Sequence, residues 1–170
     1  MFKPGLLAKL NEVNIVEISE SARITAFKQK IFEQIPLTQH MGFTQIRLDG
    51  HNLMFELSLA PNHNDKGTAF AGALSAAANL CGWGAITLLL EAQEQVYDVV
   101  IRDSRLEYIL PVTEDFRVQT QLPEPPQIEA FLERLRERGK ARIDLRVELL
   151  EQGRLCFQFS GSYVALERKR

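Results

Sequence analysis

Two stretches of the chain alternate in hydrophobicity with a period of two. In the first, Leu53, Phe55, Leu57 and Leu59 are separated by Met54, Glu56 and Ser58. In the second, Ala141, Ile143, Leu145, Val147 and Leu149 are separated by Arg142, Asp144, Arg146 and Glu148. That period gives an extended strand one apolar face. Gly153 then marks a hairpin, after which Leu155, Phe157 and Phe159 continue the alternation towards Tyr163. Val96 to Ile109 and Phe116 to Leu122 carry less regular versions of the pattern. Five or six antiparallel strands with one dry face are expected.

The segment Ala69 to Glu91, AFAGALSAAANLCGWGAITLLLE, carries no charge before Glu91 and is apolar or small on every side. Its length would suit a membrane crossing. Against that, Ser75, Asn79 and the glycines at 72, 82 and 84 lower its hydrophobicity, and no basic flank anchors it. A helix apolar all round is otherwise enclosed by protein. The reading is therefore an α+β fold, with this helix lying across the dry face of the sheet. Two amphipathic helices flank it. Glu20 to Gln34 has Ile24, Phe27, Ile31 and Ile35 at helical spacing, a stop at Pro36 and a cap at Ser19 or Ser21. Pro125-Pro126 opens a second, Ile128 to Arg138, with Ile128, Phe131, Leu132 and Leu135 on one stripe and Gly139 after its end. With no repeat or linker, residues 1–170 read as one domain.

Composition removes several functions. A net charge of -2 over 170 residues supplies no field that would recruit nucleic acid. Cys81 and Cys156 sit in apolar runs and read as buried thiols rather than a disulfide framework. His40, His51 and His63 are too dispersed for a metal signature, and Asn62, Asn64 and Asp65 lack the acidic run of a calcium loop. Met1 to Leu10 has no continuous apolar core or cleavage site, so a cytoplasmic location is the default expectation. The basic residues Arg134, Arg136, Arg138, Lys140 and Arg142 read as a solvated face that complements the helix dipole, with one or two of them able to bind phosphates. The tail Glu167 to Arg170 reads as a solubilising end.

Candidate chemistry lies just before the central helix, in Ala60-Pro-Asn-His-Asn-Asp-Lys-Gly-Thr-Ala-Phe-Ala-Gly72. A helix start offers unpaired N–H groups and favours negative charge. A reacting carbonyl set against them would be polarised and its oxyanion stabilised. Gly67 and Gly72 would allow close backbone approach. The same loop also has an ordinary reading, in which Thr68 is the N-cap and Asn64 a turn former. Ser75 reads as a core hydroxyl bonded back to its helix rather than a nucleophile.

Ile35-Pro36-Leu37-Thr38-Gln39-His40-Met41-Gly42, followed by NHNDKGTAFAGALSAAANLCGWG, resembles the "putative thioesterase" domain family of the hotdog superfamily. That domain also occurs at the C-terminus of some bacterial acetyltransferase-like proteins. The resemblance spans about residues 27–164 and leaves 1–26 as an extension. GTAF-x-G and GWG are its most distinctive pieces, and Ala71 replaces the first of the usual paired glycines while keeping an N–H.

The resemblance implies a curved sheet wrapped around one helix, a homodimer or tetramer with acyl sites at the subunit interface, and hydrolysis of acyl-CoA or acyl-carrier-protein thioesters without a cofactor. Relatives of the phenylacetate-pathway type carry a carboxylate partway along the central helix. The corresponding residue here is Asn79, an amide that can orient water but not accept its proton. Asn64 matches a loop asparagine placed near the thioester carbonyl. The expected catalytic set is then Asn64, Gly72 and a base from Asp65 or His63, with Asn62, Gly67, Thr68, Phe70, Ala71 and Asn79 contacting substrate. Two other readings stand beside this one: a hydroxyacyl dehydratase using His63 with Asp65, and a module that binds acyl thioesters without cleaving them.

Overall fold

The computed structural model describes residues 21–50 and 52–168. Expectations for the first twenty residues, including the Ser19 cap, and for His51, Lys169 and Arg170 lie outside the described residues. Six strands form one antiparallel sheet: β1 (Phe43–Asp49), β2 (Asn52–Leu57), β3 (Tyr97–Tyr108), β4 (Phe116–Gln121), β5 (Lys140–Glu151) and β6 (Arg154–Glu167), in the order β1-β2-β4-β5-β6-β3. Helix α1 covers residues 21–34, α2 is Ala71–Leu90 and α3 is Pro125–Arg138.

The alternating stretches behave as their period requires. Along β5, Ala141, Ile143, Leu145, Val147 and Leu149 are buried while Arg142, Asp144 and Arg146 are exposed. Their inward side chains, with Phe157, Phe159 and Tyr163 of β6, pack on α2. Twelve residues of α2 are buried, from Leu74 to Leu90. This helix is long and apolar enough to cross a membrane, yet it is the core helix of the sheet. Its glycines permit the enclosure. A Cβ on Gly82 would lie 2.2 Å from the Tyr163 hydroxyl, and one on Gly84 would lie 2.7 Å from the Phe27 ring of α1. Phe27 and Ile31 are the buried stripe of α1, and Ile128, Phe131 and Leu135 that of α3, which ends at Gly139 with φ of 66°.

Two strands differ from the expectation. β1 was not anticipated: it is the outer strand on one side, with only Ile46 buried, so its alternation is weak. β3 lies at the opposite edge and has no fully buried residue. Val100, Leu106 and Tyr108 are exposed there, although the sheet was expected to cover one face of every strand.

Candidate functional site

The polar loop 58–70 is held from three sides. Asn62 is buried and its amide donates to the Met41 carbonyl at 2.8 Å and the Ser58 carbonyl at 2.7 Å. Its own carbonyl accepts from Phe70 N–H at 2.7 Å, so Asn62 ties the loop's two ends to the chain after α1. The 109–115 segment supplies the second support: Val112 O accepts from Ala69 N–H at 2.8 Å, and the Asp115 carboxylate accepts from Leu59 N–H at 2.9 Å. The third is internal. Asn64 Oδ1 accepts from Lys66 N–H at 2.8 Å and Thr68 N–H at 3.2 Å, while Asn64 Nδ2 donates to Thr68 Oγ1 at 2.9 Å. Gly67, at φ of 78°, closes that turn. Asn64 is thus the turn former of the ordinary reading, and its Nδ2 retains a second hydrogen. Thr68 is not the N-cap.

The cap position of α2 is Phe70, whose side chain makes no capping bond. Leu74 N–H is the first to close a helical turn, onto Phe70 O at 3.1 Å. The N–H groups of Ala71, Gly72 and Ala73 find no acceptor among the described residues, as a helix start requires when no side chain caps it. The Phe70 ring, 55% exposed, folds over them. A Cβ on Gly72 would fall 2.3 Å from that ring, so glycine lets the phenyl group lie against the first turn. Tyr108 closes the other side, its ring against Phe157 and its hydroxyl 3.3 Å from the Ala71 carbonyl.

His63 and Asp65 are exposed. His63 Nδ1 lies 2.9 Å from the Asn64 carbonyl, a partner that can only accept, so this bond puts the proton on Nδ1 and leaves Nε2 as the basic nitrogen. Asp65 pairs with Lys66 at 2.8 Å in open solvent. Ser75 bonds back to Gly72 O at 3.0 Å, as its place in a helix suggested. Cys81 and Cys156 are both free and buried, and burial pushes the Cys81 thiol far above its ordinary range. Among the described residues no three His, Cys, Asp or Glu side chains converge to hold a metal ion.

Asn79 stands apart from this loop. It lines a cavity of about 280 Å³ between α2, the 35–41 segment and β3. Ile35, Leu37 and Met41 form one wall, Ala76, Leu80 and Trp83 the second, and Val99 to Ile101 the third. The Asn79 side chain has no hydrogen-bond partner among the described residues, whereas the Thr38 hydroxyl in the same wall is committed to the carbonyls of Ile31 and Ile35. Gly72 and Asn79 are seven positions apart along the helix, a rise of about 10 Å. One chain therefore does not bring the helix-start donors and the Asn79 amide to one carbonyl. Sequence reasoning also missed Trp83 and Thr38 as cavity residues, since an apolar stripe along a buried helix does not reveal which part of it borders a void.

Comparison with known proteins places this geometry. The family model described as "Putative thioesterase (yiiD_Cterm)" matches residues 24–167, and the chain belongs to that family. A solved structure of a putative thioesterase from Shewanella oneidensis is 31% identical, with a TM-score of 0.75 over 86% of this chain and 99% of that one. A protein of unknown function from Chlorobaculum tepidum is 28% identical, with a TM-score of 0.79 over 85% and 94% of the two chains. A protein from Pseudomonas aeruginosa, described as of unknown function and a probable thioesterase, is 25% identical, with a TM-score of 0.70 over 85% and 96%. The fold is the hotdog fold, shared with more distant thioesterase structures such as one from Haemophilus influenzae at 14% identity.

Proposed function

We propose that the chain hydrolyses acyl thioesters carried by coenzyme A or an acyl carrier protein, in a site completed by a second copy of itself. The observation that carries the reading is the first turn of α2. Three adjacent N–H groups without acceptors, at the positive end of a twenty-residue helix, suit the oxyanion of acyl transfer better than any other group in the fold. Gly72 and its neighbours polarise the carbonyl, Ala71 contributing an N–H as glycine would. Asn64 offers its remaining amide hydrogen beside them. Water attacks directly, its proton taken by His63 Nε2 or Asp65, both open to solvent in the same loop.

The separation of Gly72 from Asn79 favours a two-chain site, in which the helix start of one copy faces the Asn79 cavity of its partner. β3 favours it too. Twelve residues of edge strand with exposed Val100, Leu106 and Tyr108 are a surface that a second strand would cover. Phe70, Ala71, Gly67 and Thr68 would then border the acyl carrier's path, with Asn62 shaping the loop from beneath. A soluble cytoplasmic homodimer is the corresponding assembly.

The test is free-thiol release from short, long and aromatic acyl-CoAs by the wild type and by Asn64→Ala, Asn64→Asp and Asp65→Ala. The donor role predicts at least a ~10-fold loss of turnover in both Asn64 variants, the scale of one lost oxyanion donor. Retained turnover in Asn64→Asp, which keeps the acceptor for Lys66 and Thr68, would reduce Asn64 to loop shape. Tight binding of acyl-CoAs with no thiol released from any of them, or from an acyl carrier protein, would leave the non-catalytic module. That module is the second reading, and the amide at residue 79 favours it.

A further inference from the structure

We propose that Trp83 is the depth stop of the acyl pocket and that it restricts the chain to compact acyl groups, of about one aromatic ring on a short linker. The inference rests on the acyl-thioester reading above and names the substrate class of that same site.

The size of the void is the first argument. At about 280 Å³ it is roughly twice the ~150 Å³ apolar cavity that holds one benzene molecule. A ring with a few further carbons fits within it. The lining is the second argument. Apart from Asn79 it offers no free side-chain polar group, because the Thr38 hydroxyl already donates within the 31–38 turn. An acyl tail would meet apolar walls, with one amide at the side where the carbonyl region enters.

The third argument is the way the indole is fixed. Trp83 lies one turn beyond Asn79 on the same stripe of α2, and its Nε1–H donates to Val99 O at 3.0 Å. The ring therefore bridges α2 and β3 and closes the gap between them. Behind it stands Phe27, with ring centroids 6.3 Å apart, and Phe27 is itself stacked on Phe55 at 6.4 Å. With Phe27 1% exposed, the indole cannot swing back without displacing the core. A ligand must stop at it. At the other end Ala76 is small and half-buried, so depth can be taken away there as readily as it can be added at residue 83.

A side chain that only fills space would, when trimmed, weaken the protein without changing which acyl group is preferred. A depth stop would change the preference. The experiment compares kcat/KM for thiol release from acetyl-, phenylacetyl-, octanoyl- and palmitoyl-CoA by the wild type, Trp83→Leu, Trp83→Phe and Ala76→Leu. Affinities of the matching non-hydrolysable thioether analogues are measured by calorimetry.

The wild type is expected to favour the compact substrates over palmitoyl by at least ~10-fold, the range that a few unaccommodated methylenes produce. Trp83→Leu should raise the palmitoyl-to-phenylacetyl ratio at least ~10-fold, and Ala76→Leu should lower phenylacetyl relative to acetyl. Trp83→Phe keeps an aromatic wall and should give a smaller shift in the same direction, which serves if the leucine variant does not fold. A wild type that prefers palmitoyl, or folded Trp83 variants that lose all substrates equally, would overturn the proposal. Absence of thiol release from every substrate would sink the hydrolase reading alone, because the analogue affinities would still have to follow the same order, and a flat order would overturn the depth stop.

Discussion

The Tyr163 hydroxyl donates a 3.1 Å hydrogen bond to the main-chain carbonyl of Asn79, passing through the space that a side chain at residue 82 would fill. β6 thereby grips the central helix at the residue that faces the cavity. Burial pushes the Tyr163 phenol well above its ordinary range, so the donor stays protonated at any working pH. Gly82→Ala should cost about 1–3 kcal/mol in urea unfolding, the usual scale of overpacking. Tyr163→Phe should not rescue it, because ring carbons at 2.6 and 2.8 Å from the new Cβ remain after the hydroxyl is gone. Full rescue in the double variant would show that only the hydroxyl, and not the ring, requires glycine.

Glu151 is a buried acid at the end of β5, with a side chain 1% exposed. Burial pushes its carboxyl up, but the N–H groups of Thr113 and Glu114, the Thr113 hydroxyl and the Arg154 guanidinium together hold it below the usual carboxylate range. Those bonds fix the segment whose Val112 carbonyl holds Ala69 beside the start of α2. A carboxyl whose pKa falls on folding adds stability above its unfolded pKa and loses it as pH drops through the folded value. Glu151→Gln keeps an acceptor but not the charge. It should destabilise the protein by about 1–3 kcal/mol at pH 7, and the gap from wild type should close as the pH falls below the ordinary carboxylate range. Urea titrations of both proteins from pH 7 to pH 3 check this; a gap independent of pH would remove the charge from the account.

How much of this could be read from the chain depends on how strictly each residue is constrained. α2 was legible because a twenty-residue segment apolar on all sides has few soluble solutions. β5 and β6 were legible because the inward residues from Ala141 to Leu149 and from Leu155 to Phe159 are apolar. β1 was not, since an edge strand with one buried residue carries almost no period. Glu151 had a signal that went unused: it falls on the inward phase that Ala141 to Leu149 define, where an acid demands a local reason. In the loop, the sequence marked out the residues but not their allegiances. That Asn62 is spent on Met41 and Ser58, while Asn64 keeps one hydrogen free, follows from where the chain after α1 passes, and no local pattern encodes that.

The exposed edge at β3 makes a prediction about assembly. Leu106 and Tyr108 lie two residues apart on the face that carries Phe157 and Phe159 on β6, at the margin of the cover of α2, whose first turn only the Tyr108 hydroxyl reaches. Leu106→Lys places a charge where a second strand would pack, the device by which natural edge strands refuse partners. If the proposed two-chain site forms, sedimentation should show a shift towards monomer, and thiol release should fall in parallel, because the helix start of one copy and the Asn79 cavity of the other would no longer meet. A monomeric variant with unaltered turnover would put the whole reaction in one chain.

In the proposed hydrolysis, residue 79 bears on how the water is activated. An amide there has a partial negative oxygen for orienting water but no capacity to take its proton. The cavity around it is apolar, and its side chain meets no described partner, so an acid in its place would be desolvated on one side and raised towards neutrality. Asn79→Asp should therefore gain a general base poised near the operating pH. If direct attack by water is limiting, kcat should rise at least ~10-fold, the lower part of the range for such catalysis. The gain should appear only above the new group's pKa, as an acidic limb in the kcat profile beyond any that the loop base gives the wild type. If instead kcat falls and the limb is absent, the natural amide is making a contact that a carboxylate repels, such as one to the thioester carbonyl itself. The pH profile separates the two cases, because a lost contact lowers the rate at every pH whereas an added base changes its shape.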